Sequence, residues 1–108
     1  MKVNILGTEY TISEKHRTED EILDDLDGYC DKTTKEIVVC KNMGGDLKNM
    51  EWFKKKVLRH EIIHAFLFES GLQENFEHPK YGHDETYVDW IAIQFPKIQK
   101  VFMDVGCL

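Results

Sequence analysis

The N-terminal part of the chain shows the alternation of apolar and polar residues that is typical of strands with one buried face. Val3 and Ile5 alternate with polar residues, and so do Tyr10 and Ile12. The segment between these two stretches, Leu6–Glu9, contains a glycine and is suited to a turn. The pattern therefore predicts a β-hairpin at the start of the chain.

A second hairpin is predicted where Gly28–Asp31 and Glu36–Cys40 flank the polar residues 32–35. Its second arm is apolar and rich in β-branched residues, which favour strands. Between the two hairpins, residues 18–27 are acidic and carry apolar residues at helical spacing. This stretch is either a short helix capped by Thr18 or an acidic connection.

The apolar residues change to helical spacing after Gly44–Gly45, where the chain is expected to break. One long helix is predicted from about Leu47 to Ser70, with Asp46 as a candidate cap and Gly71 as the terminator. Between Val57 and Phe68 all but four positions are apolar. A helix with so few polar positions is expected to be central and buried.

A second helix is predicted from Asp84 to Phe95, after a loop over residues 71–83. Pro96 is expected to end this helix or to begin the next one. A short last helix is then predicted over residues 98–102, where apolar residues recur three and four positions apart. Hairpins followed by helices predict an α+β fold, and 108 residues are expected to form a single domain.

Composition narrows the function classes. The net charge of −6 argues against a general nucleic-acid or membrane surface, and the basic run Lys54–Lys56 is expected to be the solvated side of a helix. No stretch approaches the roughly 20 apolar residues of a membrane span. Without a signal core at the N-terminus, the expected location is the cytoplasm.

Cys30, Cys40 and Cys107 form no C-x-x-C pair and are expected to be reduced packing thiols.

The most informative motif is H-E-x-x-H, formed by His60, Glu61 and His64. On a helix, residues four apart lie on one face, so two imidazoles can bind one zinc ion while the glutamate reaches water at the metal. Burying these three polar side chains on an apolar helix without partners would cost several kcal/mol. A bound metal removes that difficulty, and the motif therefore predicts a metal site.

A catalytic zinc site needs a third protein ligand. The metzincin continuation of the motif is absent, because Leu67 occupies its glycine position and Ser70 its third histidine position. Further along the chain, Glu85 and Asp89 are four residues apart and share a helical face. One of these carboxylates can ligate the metal, and the other can accept a hydrogen bond from a ligand imidazole.

H-E-x-x-H followed by E-x-x-x-D on a second helix resembles the gluzincin metallopeptidases, over the stretch from about residue 29 to residue 90. In its small size, the chain resembles minimal gluzincins and the compact metallopeptidase-like proteins encoded in phage and mobile elements. The resemblance implies a minimal zincin-like domain, in which a small antiparallel β region precedes a long active-site helix and a second, ligand-bearing helix. It implies one Zn²⁺ per chain with His60, His64 and Glu85 as ligands, and Asp89 orienting His60.

The activity implied is hydrolysis of peptide bonds in a peptide or protein substrate. Glu61 would act as general base for the attack of zinc-bound water. His83 and His78 are alternative third ligands. The candidate oxyanion donors are Tyr81, His83 and Tyr87, and the sequence does not choose among them.

The strand predicted over residues 36–41 resembles the strand at the rim of the zincin cleft, where an extended peptide can add. Two other functions compete with general peptide hydrolysis. One is a zinc-binding but non-catalytic interaction protein of a phage or mobile element. The other is a regulatory protease that acts on a repressor through a protein partner, without direct contact to nucleic acid.

Overall fold

A four-stranded sheet forms the first part of the fold. The computed structural model describes residues 1–45, 47–74, 84–105 and 107–108. The strands are β1 (Lys2–Ile5), β2 (Thr8–Lys15), β3 (Gly28–Asp31) and β4 (Glu36–Cys40). Two helices follow, α1 (Met50–Ser70) and α2 (Glu85–Asp104), so the predicted α+β class is confirmed.

Both predicted hairpins are present, but the sheet that they form is mixed. The order is β1-β2-β4-β3, with antiparallel pairing in each hairpin and parallel pairing between β2 and β4. The first hairpin turns at Leu6 and Gly7, which both have positive φ, as a tight two-residue turn requires. The two hairpins are therefore joined through their second strands, which the sequence pattern did not indicate.

β4 lies inside the sheet and β3 at its edge, so the prediction that residues 36–41 form the rim strand is wrong. Ile37 packs with Ile5, Tyr10 and Ala65 of α1, while Val38 packs on the other face. A strand that is covered on both faces does not alternate, which explains its continuous apolar run.

The acidic connection between the hairpins folds as two short 3₁₀ turns, Arg17–Glu19 and Glu21–Asp24. The predicted cap Thr18 is wrong, because Asp20 accepts the capping hydrogen bond from the Ile22 amide. Leu23 of the second turn is fully buried against β4. Its packing anchors the acidic connection to the face of the sheet opposite α1.

Helix α1 starts three residues later than predicted. Asn49 is its cap, since the Asn49 side chain accepts a hydrogen bond from the Trp52 amide at 3.0 Å, and the predicted cap Asp46 lies outside the described residues. Gly71 ends it in the left-handed conformation with φ of 81°, as predicted. The expected burial holds for one face of α1, which carries the buried residues Val57, Glu61, His64 and Ala65, whereas Phe66 is exposed.

Helix α2 is continuous through Pro96, which contradicts the prediction of two separate helices. Proline has no backbone N–H, so the Ala92 carbonyl four residues earlier loses its partner within the helix. The Arg59 side chain of α1 supplies one, because its Nε donates to the Ala92 oxygen at 2.5 Å.

Among the described residues, no helix is both long and apolar enough to span a membrane.

Sheet and helix approach each other closely at Gly28. A Cβ atom built there would lie 2.9 Å from the Val38 oxygen, 2.9 Å from Val57 Cγ1 and 3.4 Å from Glu61 Cγ. We expect Gly28→Ala to lower the free energy of unfolding by about 1–3 kcal/mol, because the added methyl group overpacks this contact. Urea denaturation measures the change.

Gly44→Ala is the matched control, because a Cβ there meets nothing within 4 Å. We expect it to change the free energy of unfolding by less than about 0.5 kcal/mol. Equal effects of the two substitutions would contradict the close packing of α1 on β3.

The role of Arg59 can be tested by a double-mutant cycle with Pro96. Arg59→Met should cost about 1–3 kcal/mol in the natural chain, because the Ala92 carbonyl is left without its donor. In the Pro96→Ala background the cost should fall, since the new amide at position 96 bonds to that carbonyl. An equal cost in both backgrounds would show that Arg59 stabilises the fold in another way.

Candidate metal centre

His60 and His64 lie one turn apart on α1, and their rings point to the same place. The two Nε2 atoms are 3.0 Å apart and the ring centroids 4.7 Å apart. His64 is 8% exposed and His60 is partly buried. The spacing of the H-E-x-x-H motif thus brings two imidazole nitrogens together at the surface of a cleft.

Glu85, the first residue of α2, adds a carboxylate to this pair. Its Oε2 lies 3.1 Å from His60 Nε2, and its Oε1 lies 3.1 Å from His64 Nε2. One donor atom from each of the three residues falls within 4.8 Å of the others. The antiparallel approach of α2 to α1 therefore assembles the three residues that the sequence singled out as ligands.

Asp89 and Lys56 hold the other side of the His60 ring. Asp89 Oδ1 lies 3.2 Å from His60 Nδ1 and accepts a hydrogen bond from Lys56 Nζ at 2.9 Å. The hydrogen bond from the Lys56 ammonium is the largest cause that holds the pKa of the Asp89 carboxyl below its usual value, and the bond to His60 adds to it. An ionised Asp89 favours the His60 tautomer with its proton on Nδ1, which leaves the Nε2 lone pair directed at His64 and Glu85.

Glu61 lies behind the histidines, between α1 and β3, and is 8% exposed. Burial, and then the negative charge of Glu85, raise the pKa of its carboxyl from 4.5 to about 7. A carboxyl with such a pKa exchanges protons near neutral pH, which suits a general base. A cation held by the three neighbouring donors would oppose this shift, because positive charge favours the carboxylate.

These residues line one open cleft of about 360 Å³ beside the edge strand β3. The lining residues are Leu26, Gly28, Tyr29, Cys30, His60, Glu61, His64, Phe68 and Glu85. A smaller groove next to it contains Lys56, His60, Glu61 and Asp89. The candidate ligands and the buried carboxyl thus lie in one cleft that is open to solvent.

The donor set fits a divalent metal such as zinc. In a tetrahedral site with metal–ligand distances of about 2.0–2.2 Å, neighbouring ligand atoms lie about 3.4 Å apart. Here the two imidazole Nε2 atoms are 3.0 Å apart, and each of them lies 3.1 Å from a different oxygen of Glu85. With one ligand atom from each residue, the three donors lie within 4.8 Å of one another. Two imidazoles and one carboxylate are also the ligand types of catalytic zinc, with a fourth position left for water or substrate.

The other candidates for the site lie elsewhere. Tyr87 is exposed and lines a separate groove with Ile63 and Leu67 of α1, so the structure does not bring it to the cleft. His78, Tyr81 and His83, proposed as alternative ligands or oxyanion donors, lie outside the described residues. No oxyanion donor is therefore assigned among the described residues of the cleft.

Sequence reasoning missed two contributors to the cleft. It treated the basic run 54–56 as solvated, whereas Lys56 is mostly buried and bound to Asp89. Cys30 was expected only to pack, and it packs against the main core while also lining the cleft. Burial raises the pKa of its thiol to about 12, so Cys30 remains protonated at neutral pH. All three cysteines are free, as expected.

Comparison of the chain with protein-family models, with curated proteins and with solved structures found no match. The resemblance to gluzincins therefore stays a prediction from the motifs.

The cost of burying Glu61 can be measured in metal-free protein. Its pKa is raised on folding, so its contribution is most favourable below pH 4.5 and is lost as pH rises through about 7. Glu61→Gln removes the ionisation, and we expect this variant to become more stable than the natural protein above pH 7, by on the order of 2–3 kcal/mol.

The measurement is denaturant unfolding from pH 4 to pH 8 in the presence of a chelator. Glu51→Gln, at an exposed position on the same helix, should show no such pH-dependent difference. A stability difference for Glu61→Gln that stays constant with pH would contradict the raised pKa of Glu61.

Proposed function

We propose that this protein is a zinc-dependent metallopeptidase. The observation that carries the proposal is the convergence of His60, His64 and Glu85 within hydrogen-bonding distance of one another, with a buried carboxyl behind them. A structural zinc site would need no base beside an open coordination position. The presence of Glu61 therefore favours hydrolysis over a purely structural role.

The side chains of the site have separate roles in the proposed reaction. When bound, zinc would act as a Lewis acid that makes water more acidic and polarises the peptide carbonyl. Glu61 would accept a proton from the attacking water and deliver it to the leaving amine. Asp89, itself held by Lys56, would keep the His60 ring in the tautomer that offers Nε2.

The edge strand β3 suggests how a peptide substrate would be held. Among the described strands, β3 pairs only with β4, and its residues 28–30 form one wall of the cleft. An extended peptide can add to an open strand edge through main-chain hydrogen bonds. The proposed substrate is accordingly a peptide, or an unfolded segment of a protein, that lies extended along β3 beside Glu61.

Zinc titration of metal-free protein tests the ligand set. We expect one zinc ion per chain, and we expect His64→Ala or Glu85→Ala to weaken binding at least about tenfold, since each removes one of three protein ligands. His16→Ala is the matched control, because His16 is exposed and lies outside the cleft. Failure of the natural protein to bind zinc, or equal losses for His16→Ala and His64→Ala, would refute the site.

A peptide library analysed by mass spectrometry tests the reaction. The zinc-loaded protein should cleave at least one group of peptides, and Glu61→Gln should retain zinc while the rate falls by about 10²-fold or more. A zinc-bound natural protein that cleaves no peptide would instead support the non-catalytic interaction protein. Cleavage that is unchanged in Glu61→Gln would show that the activity does not belong to this site.

A further inference from the structure

Helix α2 has two faces with different surroundings. The face that packs on α1 carries the buried residues Val88 and Ala92, together with Glu85 and Asp89 of the candidate metal centre. A second apolar face lies about a third of a turn around the helix and is left half-buried or exposed. Its first residue, Ile91, also lines a groove with Ile63 and Leu67 of α1. We call it the outer stripe, and it consists of Ile91, Gln94, Phe95, Ile98, Val101, Phe102 and Val105.

The outer stripe is spaced like the seam of a coiled coil. Positions 91, 94, 98, 101 and 105 alternate steps of three and four residues, which is the heptad pattern of a and d positions. The a positions are Ile91, Ile98 and Val105, and they are all β-branched, as is common in two-stranded coils. Only Gln94 interrupts the apolar seam.

The C-terminal end of the stripe extends beyond the first residue of α1. Because α2 runs antiparallel to α1 with Glu85 opposite His64, its residues from roughly 100 onward lie past Met50, the first residue of α1. Val101 and Val105 are 56% and 68% exposed. The radius of gyration is 15.0 Å, against about 13 Å for a typical chain of this length.

We propose that two copies of this chain form a dimer in which the outer stripes of their α2 helices pack antiparallel about a two-fold axis. The charges beside the stripe select this orientation. Lys97 and Asp104 are seven residues apart on one edge of the seam, so in an antiparallel pair each Lys97 faces Asp104 of the second copy. Asp104 also pairs with Lys100 of its own helix at 2.6 Å, so Lys97 would be its second cation. In a parallel pair, Lys97 would lie beside Phe102 of the second copy and gain no ion pair.

The same register fits the apolar residues. With the two-fold axis between residues 99 and 100, Ile98 packs on Val101 of the second copy. On the edge opposite Lys97, Phe95 packs on Phe102 of the second copy. A two-fold contact is self-complementary, so each of these pairs occurs twice.

The area available is enough for a modest dimer. Phe95 and Phe102 are each nearly half exposed, and Val101 and Val105 more than half. With the two charged residues, the stripe offers on the order of 500 Å² per copy, or about 1,000 Å² in total, which is the lower limit for a specific interface. We therefore expect association at micromolar rather than nanomolar concentrations.

Sedimentation equilibrium of the full chain tests the dimer. The natural protein should be dimeric at about 100 μM, and Val101→Lys should raise the dissociation constant at least about tenfold by burying a charge in the seam. Met103→Lys is the matched control, because Met103 is 63% exposed but lies on the opposite side of α2. A monomeric natural protein, or equal effects of the two substitutions, would overturn the proposal.

A charge exchange tests the register. Lys97→Asp and Asp104→Lys should each weaken the dimer, because like charges then face each other, and the double variant should restore it. The double variant also keeps the net charge of the chain. If each single variant leaves association unchanged, or if the double variant fails to restore it, the antiparallel register is wrong.

The exposed Cys107 tests the orientation. In the antiparallel pair the two Cys107 residues lie more than about 20 Å apart, whereas a parallel pair would bring them together. Mild oxidation of the dimer should therefore give no disulfide-linked species through Cys107, with Cys107→Ser as the reference. Rapid, specific cross-linking through Cys107 within the dimer would overturn the antiparallel arrangement.

Discussion

The architecture of the candidate site depends on the burial of one carboxyl, that of Glu61, between a helix and an edge strand. The glycine at position 28 contributes to this burial, because it lets the backbone of β3 approach α1 and the Glu61 side chain closely. The free energy spent on burying Glu61 reduces the stability of the fold, unless a nearby cation offsets the charge. The neighbouring His60, His64 and Glu85 offer the donors for such a cation, so stability and proposed function are linked at one place.

The sequence predicted those parts of the fold and site that depend on local spacing. His60 and His64, and separately Glu85 and Asp89, share a helical face because each pair is four residues apart. The need for a third metal ligand predicts that the two pairs meet, and the resemblance to gluzincins adds which carboxylate takes which role. In the structure the two pairs are in contact. The hairpins and the Gly71 terminator were also predictable, because turn residues and left-handed glycines act over a few residues.

The parts that the sequence did not predict depend on partners distant in the chain. Pro96 was expected to end a helix, but Arg59, 33 residues away from Ala92, supplies the hydrogen bond that the proline removes. The run Lys54–Lys56 predicts three solvated side chains, but Lys56 binds Asp89 and Lys54 pairs with Glu14, which leaves only Lys55 of the three largely exposed. The second face of β4 is covered by Leu23 of the acidic connection, which packs on Val38 and Cys40. None of these long-range contacts leaves a periodic signal.

Helix α2 connects the candidate metal centre with the proposed dimer. Glu85 reaches His60 and His64 only if α2 stays packed on α1. On the side that faces α1, the buried residues of α2 are Val88 and Ala92, and the Ala92 carbonyl accepts a hydrogen bond from Arg59. A helix of this length with a proline inside gains little stability from its own backbone. Packing of the outer stripe in a dimer would add the missing tertiary contacts without touching the cleft, because the two faces of α2 point in different directions. Dimerisation would in this way hold the candidate metal ligand Glu85 in place through a different face of the same helix.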